Sequence, residues 1–183
     1  MNPNEPTICN AEATILGLLS ESPRHPYQIS LDVEERGMQT WSELSRTTVY
    51  KMLRRLELKR MVKGDSESTA GGRKRRVYRP TAKGSAALAT YIKQELSHHS
   101  THKSPFDAAI YWSDRLPDTE TARLLGGYRK ELQEAIGFWK SMVGYLADIG
   151  CPKADQALCD RKAHMLEGEL LWLDKYAKEL EHA

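Results

Sequence analysis

From Asp118 to Leu180 apolar residues return every three or four positions, and the pattern breaks only once, at Gly150 and Pro152. Leu125, Tyr128, Leu132, Ile136, Trp139, Val143 and Leu146 make the first stripe; Leu158, Met165, Leu166, Leu170, Leu173, Tyr176 and Leu180 make the second. A helical period sustained this long predicts two long helices, the first of about seven or eight turns, and leaves no room for strands in this half. A short break between long helices folds them back as an antiparallel, coiled-coil-like hairpin. Trp112, Trp139, Leu171 and Trp172 widen the stripes beyond what one partner helix covers, so a second copy of the chain is the simplest cover. The expected dimerisation residues are Leu132, Ile136, Trp139, Val143, Leu166, Leu170 and Leu173.

The remainder differs in charge. Residues 1–103 hold 17 Lys and Arg against 11 Asp and Glu, a balance of +6, whereas residues 104–183 hold 10 against 14, a balance of −4. Residues 46–83 alone carry 13 basic and 3 acidic side chains, a balance of +10. Such a concentration favours a polyanion, which gains by releasing counterions, although a solvated charged surface has the same composition.

Ile8, Ala11, Ile15, Leu18 and Leu19 predict a first helix ending near Ser22-Pro23, and a short second one follows Pro26 and stops at Gly37. Ser45 caps a third, whose apolar face is Val49, Met52, Leu53 and Leu56 running into Leu58 and Met61. Two short strands are expected at Met61-Val62 and Arg76-Val77-Tyr78-Arg79, separated by a polar, glycine-rich segment, residues 64–75, too polar to pack: a hairpin with a long basic tip. Thr81 caps a fourth helix. The polar run Ser97-His98-His99-Ser100-Thr101-His102-Lys103-Ser104 has no apolar period and reads as a linker. The expected fold is therefore mainly α: residues 1–96 as a winged helix-turn-helix with a two-stranded wing, residues 97–104 as linker, and residues 105–183 as a helical dimerisation and effector domain.

In that arrangement the third helix enters a DNA major groove. Arg46, Thr47, Thr48 and Lys51 on its leading turns face bases and phosphates, and Arg54 and Arg55, a turn later, face phosphates. Arg73, Lys74, Arg75 and Arg76 on the hairpin lie along phosphates or enter a neighbouring minor groove.

Residues 12–84 resemble the PadR family of bacterial transcriptional regulators. Ile15-Leu16-Gly17-Leu18-Leu19 resembles the family's first-helix core, His25-Pro26-Tyr27-Gln28-Ile29 its His-Gly-Tyr-Glu-Ile, and Leu44-Ser45-Arg46-Thr47-Thr48-Val49-Tyr50 its Leu-Ser-x-Gly-Thr-Leu-Tyr. Leu53-Arg54-Arg55-Leu56 and the stretch from Gly71 through Tyr78-Arg79-Pro80-Thr81-Ala82-Lys83-Gly84 resemble its helix end and its closing Tyr-x-x-Thr-x-x-Gly. By that similarity Tyr50 either stands near the phosphate backbone or braces the helix against the wing. The chain departs from the pattern at Pro26, which replaces a Gly, at Arg46 and Lys51, where small residues or Pro are common, and at Arg60, which replaces the Gly that ends the recognition helix. Glu167-Gly168-Glu169-Leu170-Leu171-Trp172-Leu173 is similar to the Glu-x-Glu-Leu-x-Trp-Leu of the virulence-activator-like domain of longer members, which implies dimerisation.

Other chemistry is sparse. Cys9, Cys151 and Cys159 have no Cys-x-x-Cys spacing, so reduced thiols are expected. His98 and His102 lie four apart without a carboxylate or cysteine at ligand spacing, and no metal or cofactor is expected. No phosphate-binding glycine loop, GxSxG or HExxH is present, so no catalytic residue is assigned. Trp112, Trp139 and Trp172, with Tyr111, Tyr128 and Tyr145, either line a pocket for a small aromatic effector or serve as core. With no signal peptide and no membrane-length apolar run, the expected protein is cytoplasmic and nucleoid-associated. Its expected partners are a pseudo-palindromic double-stranded DNA operator and a second copy of itself, and its expected role is ligand-responsive repression. The alternative is a winged-helix interaction module for an acidic protein.

Overall fold

The computed structural model describes residues 8–68, 74–99 and 104–181, in two compact units, Met1–Thr101 and His102–Ala183.

The first unit runs α1 (Asn10–Glu21), α2 (Pro26–Glu35), a 3₁₀ turn (Met38–Thr40), α3 (Arg46–Leu58), β1 (Val62–Ser68), β2 (Lys74–Pro80) and α4 (Ala82–Ser97). Each start has a local cause. His25 Nδ1 accepts the Gln28 N–H at the head of α2, where Pro26 surrenders no hydrogen bond, and Thr81 Oγ1 accepts the Gly84 N–H at the head of α4. Gly37, at φ +60°, turns the chain out of α2. Ile15, Leu16, Leu18 and Leu19 of α1 pack with Ile29, Val49, Leu53, Leu56 and Met61 in one buried cluster. Burial of each such side chain contributes about 1.5–3 kcal/mol, which is what holds the three short helices together.

The wing is longer than the sequence suggests. β1 and β2 are seven residues each, antiparallel, in register from Val62↔Pro80 to Ser68↔Lys74. The polar residues expected in an unpaired tip are strand residues because a two-stranded ribbon with one face in water needs no apolar alternation on that face. Lys74, Arg75 and Arg76 are accordingly in β2 rather than on a tip, and Arg73 lies outside the described residues. Leu58, expected on the buried face of α3, is 77% exposed.

The second unit comprises α5 (Pro105–Tyr111), a 3₁₀ turn (Ser113–Arg115), α6 (Asp118–Asp148) and α7 (Lys153–Glu181). Ser104 Oγ accepts the Phe106 N–H, capping α5. Gly150 ends α6 at φ +72°: its N–H donates to the Ala147 carbonyl and the Cys151 N–H to the Leu146 carbonyl, a Schellman closure. α7 then returns along α6. Arg129 Nε lies 2.7 Å from Asp174 Oδ1, Lys140 Nζ 2.5 Å from Glu167 Oε1, and the Tyr128 hydroxyl donates to Glu169 at 2.5 Å.

Leu132, Ile136 and Leu173, expected to face a second chain, are buried within this unit, whereas Trp139, Val143, Leu166 and Leu170 are half-buried. The periodicity marked the apolar stripe correctly but could not tell the stripe facing the chain's own helix from that facing solvent. Met165, placed on the inner stripe by spacing, is half-exposed, as are Leu124, Phe138 and Tyr145. No ring contact joins any two of the three tryptophans among the described residues. Trp172 lies between Phe106 and Tyr176, Trp139 against Phe138, and Trp112 against Tyr111 with Arg115 over its ring. Among the described residues no helix is long and apolar enough to cross a membrane, and no cluster of three or more His, Cys, Asp or Glu could hold a metal.

Candidate nucleic-acid interface

α3 starts at a side-chain cap. The Thr48 N–H donates to Ser45 Oγ at 3.3 Å and the Ser45 N–H donates to Thr48 Oγ1 at 2.6 Å, a reciprocal capping box in which threonine takes the place of the usual glutamate. Val49, Leu53 and Leu56 face the core. Thr47, Tyr50, Lys51, Arg54 and Leu58, at three- and four-residue spacing, form the opposite, exposed stripe. Tyr50 is 54% exposed and makes no ring contact among the described residues, so it stands on the outward stripe instead of bracing the wing. Lys51 and Arg54 have no acidic partner within ion-pair distance among the described residues.

The flanks of α3 are occupied. On one side Glu12, fully buried in α1, receives Lys59 Nζ at 2.8 Å and Arg55 Nε at 3.1 Å, and accepts the Cys9 N–H. Burial alone would raise the Glu12 pKa; the Lys59 hydrogen bond, the Cys9 N–H and the charges of Lys59 and Arg55 together outweigh it and hold the carboxyl below its ordinary range. On the other side Arg46 reaches Glu34 at 3.1 Å, and Glu57 binds Arg76 of β2 at 2.5 Å. Of the side chains expected at DNA, Thr48 is thus a cap, and Arg46, Arg55 and Arg76 are ion-paired within the unit. Thr47, Tyr50, Lys51 and Arg54 remain together on one open face.

The wing is two-sided. Lys63, Asp65, Glu67, Arg75, Val77 and Arg79 share one face by register, with Arg79 near both Asp65 and Glu67. Gly64, Arg76 and Tyr78 share the other. Tyr78 is buried and paired by two backbone hydrogen bonds to Arg24. Arg24 is itself nearly buried, with Nε 2.6 Å from Asp32, and so ties the α1–α2 connection to the wing.

Sequence reasoning missed Glu12, Glu57 and the Arg24–Asp32 pair. A lone carboxylate among Ala11, Ala13 and Ile15 was the one available signal for Glu12; its partners lie more than 40 residues away in the chain.

A helical unit that exposes its third helix beside a two-stranded ribbon, followed by a long helical hairpin, defines a winged helix-turn-helix protein of two-part construction. Residues 15–90 match the transcriptional regulator PadR-like family. A protein of Lysinibacillus sphaericus is 30% identical over 83 residues, spanning 45% of this chain and 75% of that protein. The chain belongs to the PadR-like family. Its fold is similar to that of Bacillus subtilis PadR in two crystal structures. In complex with operator DNA the TM-score is 0.73 at 18% identity, covering 92% of this chain and 98% of the other. In complex with p-coumaric acid it is 0.75 at 16%, covering 94% and 98%.

Proposed function

We propose that the protein is a sequence-specific, double-stranded-DNA-binding repressor that acts as a homodimer on an imperfectly palindromic operator and is released by a small aromatic effector. The observation that carries this reading is the open stripe of α3. Among the described residues Lys51 and Arg54 have no acidic partner and stand beside the hydroxyls of Thr47 and Tyr50, on a helix whose opposite face is buried. That combination suits a groove, where hydroxyl and guanidinium groups meet base edges and ammonium groups meet phosphates. Lys74 and Arg75 of β2, with Arg73 just before them in the chain, add phosphate contacts. Membership of a family of transcriptional regulators, and the operator complex of a protein of the same fold, support the same reading.

Under this proposal residues 1–96 bind DNA and residues 105–183 form the dimer. Because Leu132, Ile136 and Leu173 are already buried within the chain, the second copy meets the exposed residues Leu124, Phe138, Tyr145 and Leu171 and the half-covered Trp139, Val143, Leu166 and Leu170. An effector held near Trp112 or Trp172 changes the spacing of the two DNA-binding heads, so that both half-sites are no longer reached together. The p-coumaric acid complex of the fold relative supports an aromatic ligand.

The test is selection of bound duplexes from a randomised library, followed by binding of the enriched and a scrambled duplex at two salt concentrations. The expected result is an enriched inverted repeat, bound about a thousandfold more tightly than the scrambled duplex, with Lys51→Ala and Arg54→Ala each removing much of that preference. Equal binding of both duplexes overturns the proposal and favours an acidic protein partner.

A further inference from the structure

Among the described residues Arg76 is the one wing cation that reaches across to the recognition helix, and the wing is shaped to let it do so. Its side chain leaves β2, passes above β1 at Gly64, lies with its guanidinium 5.5 Å from the Tyr78 ring centroid, and ends 2.5 Å from Glu57 Oε1 on α3. A Cβ at Gly64 would stand 2.5 Å from Arg76 Nε and 2.9 Å from Tyr78 Cε1. The glycine therefore keeps open the lane along which the arginine runs. Tyr78 supplies a fixed floor, since it is buried and its backbone is paired with Arg24.

We infer that Arg76 is a positioning residue for DNA recognition and not a DNA contact: with Glu57, Gly64 and Tyr78 it sets the angle of the wing against α3. The inference rests on the DNA-binding reading above. The Arg76 side chain is half-exposed, but a phosphate contact would have to draw its guanidinium away from Glu57 and the Tyr78 ring. Here the charge is already matched by a carboxylate and the planar group is seated on a ring, an arrangement that limits its directions. The pair spans the two elements that must meet neighbouring grooves together, so loosening it costs affinity without removing a contact.

The experiment is a double-mutant cycle on the full chain with Arg76→Gln, Glu57→Gln and both, measuring affinity for the selected duplex across a salt series. As a clamp, either single change weakens binding by about fivefold, the upper scale of a partly exposed ion pair. The double variant is then no worse than either single one, and the slope of log affinity against log salt stays at the parent value in all three. As a phosphate contact, Arg76→Gln instead lowers that slope by about one, while Glu57→Gln leaves affinity unchanged or raises it; either finding overturns the inference.

A second readout needs no DNA. Hydrogen exchange of the β1 and β2 amides in the free protein quickens equally in Arg76→Gln, Glu57→Gln and Gly64→Ala, while α1 exchange holds. Unchanged wing exchange overturns the inference even for a protein that proves not to bind DNA; a clamp found in a protein without sequence preference leaves the fault with the functional reading alone.

Discussion

Replacing Gly84 by alanine tests how the wing and α4 are joined. Gly84 occupies the first turn of α4, where an added Cβ would lie 2.0 Å from the Met61 carbonyl oxygen and 3.1 Å from Leu16 Cδ2. Reaching even 3.0 Å requires the carbonyl to move by about 1 Å. That oxygen accepts the Thr81 N–H at 2.9 Å and lies 3.1 Å from Thr81 Oγ1, while the same hydroxyl caps the helix at Gly84. Two hydrogen bonds at about 1 kcal/mol each, plus overpacking of about 1 kcal/mol or more, set a cost near 3 kcal/mol. Alanine recovers at most about 1 kcal/mol through helix propensity. The net loss of about 2 kcal/mol lowers the Tm of a unit of this size by roughly 10 °C. Gly17→Ala is the matched control: it lies in the middle of α1 with nothing within 4 Å of its Cβ position, and gains up to about 1 kcal/mol. Calorimetry of the full-length variants reads both. A Gly84→Ala transition at or above the parent's, or a Gly17→Ala loss of equal size, refutes the reasoning.

Arg60 sits at φ +58°, the only non-glycine residue in the left-handed region among those described, so Arg60→Gly stabilises by about 1 kcal/mol; thermal melting checks it, and a lower Tm contradicts the strain. Glu12 is depressed in the folded state, so its contribution is complete above the ordinary carboxylate value of 4.5 and is lost as pH falls below it. Glu12→Gln is less stable at neutral pH and shows a shallower acid limb in urea titrations at several pH values; a parallel acid limb contradicts the assignment. Burial and the hydrogen bond to Glu169 push the Tyr128 hydroxyl up to about 12, so its contribution holds below pH 10 and is lost as pH climbs from 10 towards 12. Burial also raises the hydroxyls of Tyr78 and Tyr91, so ultraviolet titration should show several late-ionising tyrosines, one fewer in Tyr128→Phe.

Helix starts were legible because capping is local: Ser45, Thr81 and the Pro26 turn act within three residues of themselves. The family pattern acquires a physical meaning in the structure. Gly84 is required by the Met61 carbonyl, and the glycine replaced by Arg60 belonged to a closure in which the Arg60 N–H still reaches the Glu57 carbonyl and the Met61 N–H the Leu56 carbonyl. The wing's length was not legible, since its outer half has no apolar alternation and is held by register and by charges across the strands. Nor was the split among the basic residues. Lys51 and Arg55 look alike in the chain, and only the position of Glu12, about 40 residues away, makes one open and the other paired.

The cross-helix pairs of the second unit fix more than its stability. Sliding α7 by one turn relative to α6 in one direction sets Arg129 opposite Lys178 and Lys140 opposite Leu171; in the other direction it sets Arg129 opposite Leu170 and Lys140 opposite Ala163. Either way a matched pair is replaced by a like-charge encounter or by a cation beside an apolar side chain, with no partner. A one-turn slide therefore gives up both cross-helix pairs at once, so the register of the hairpin is marked by charge as well as by its apolar stripe.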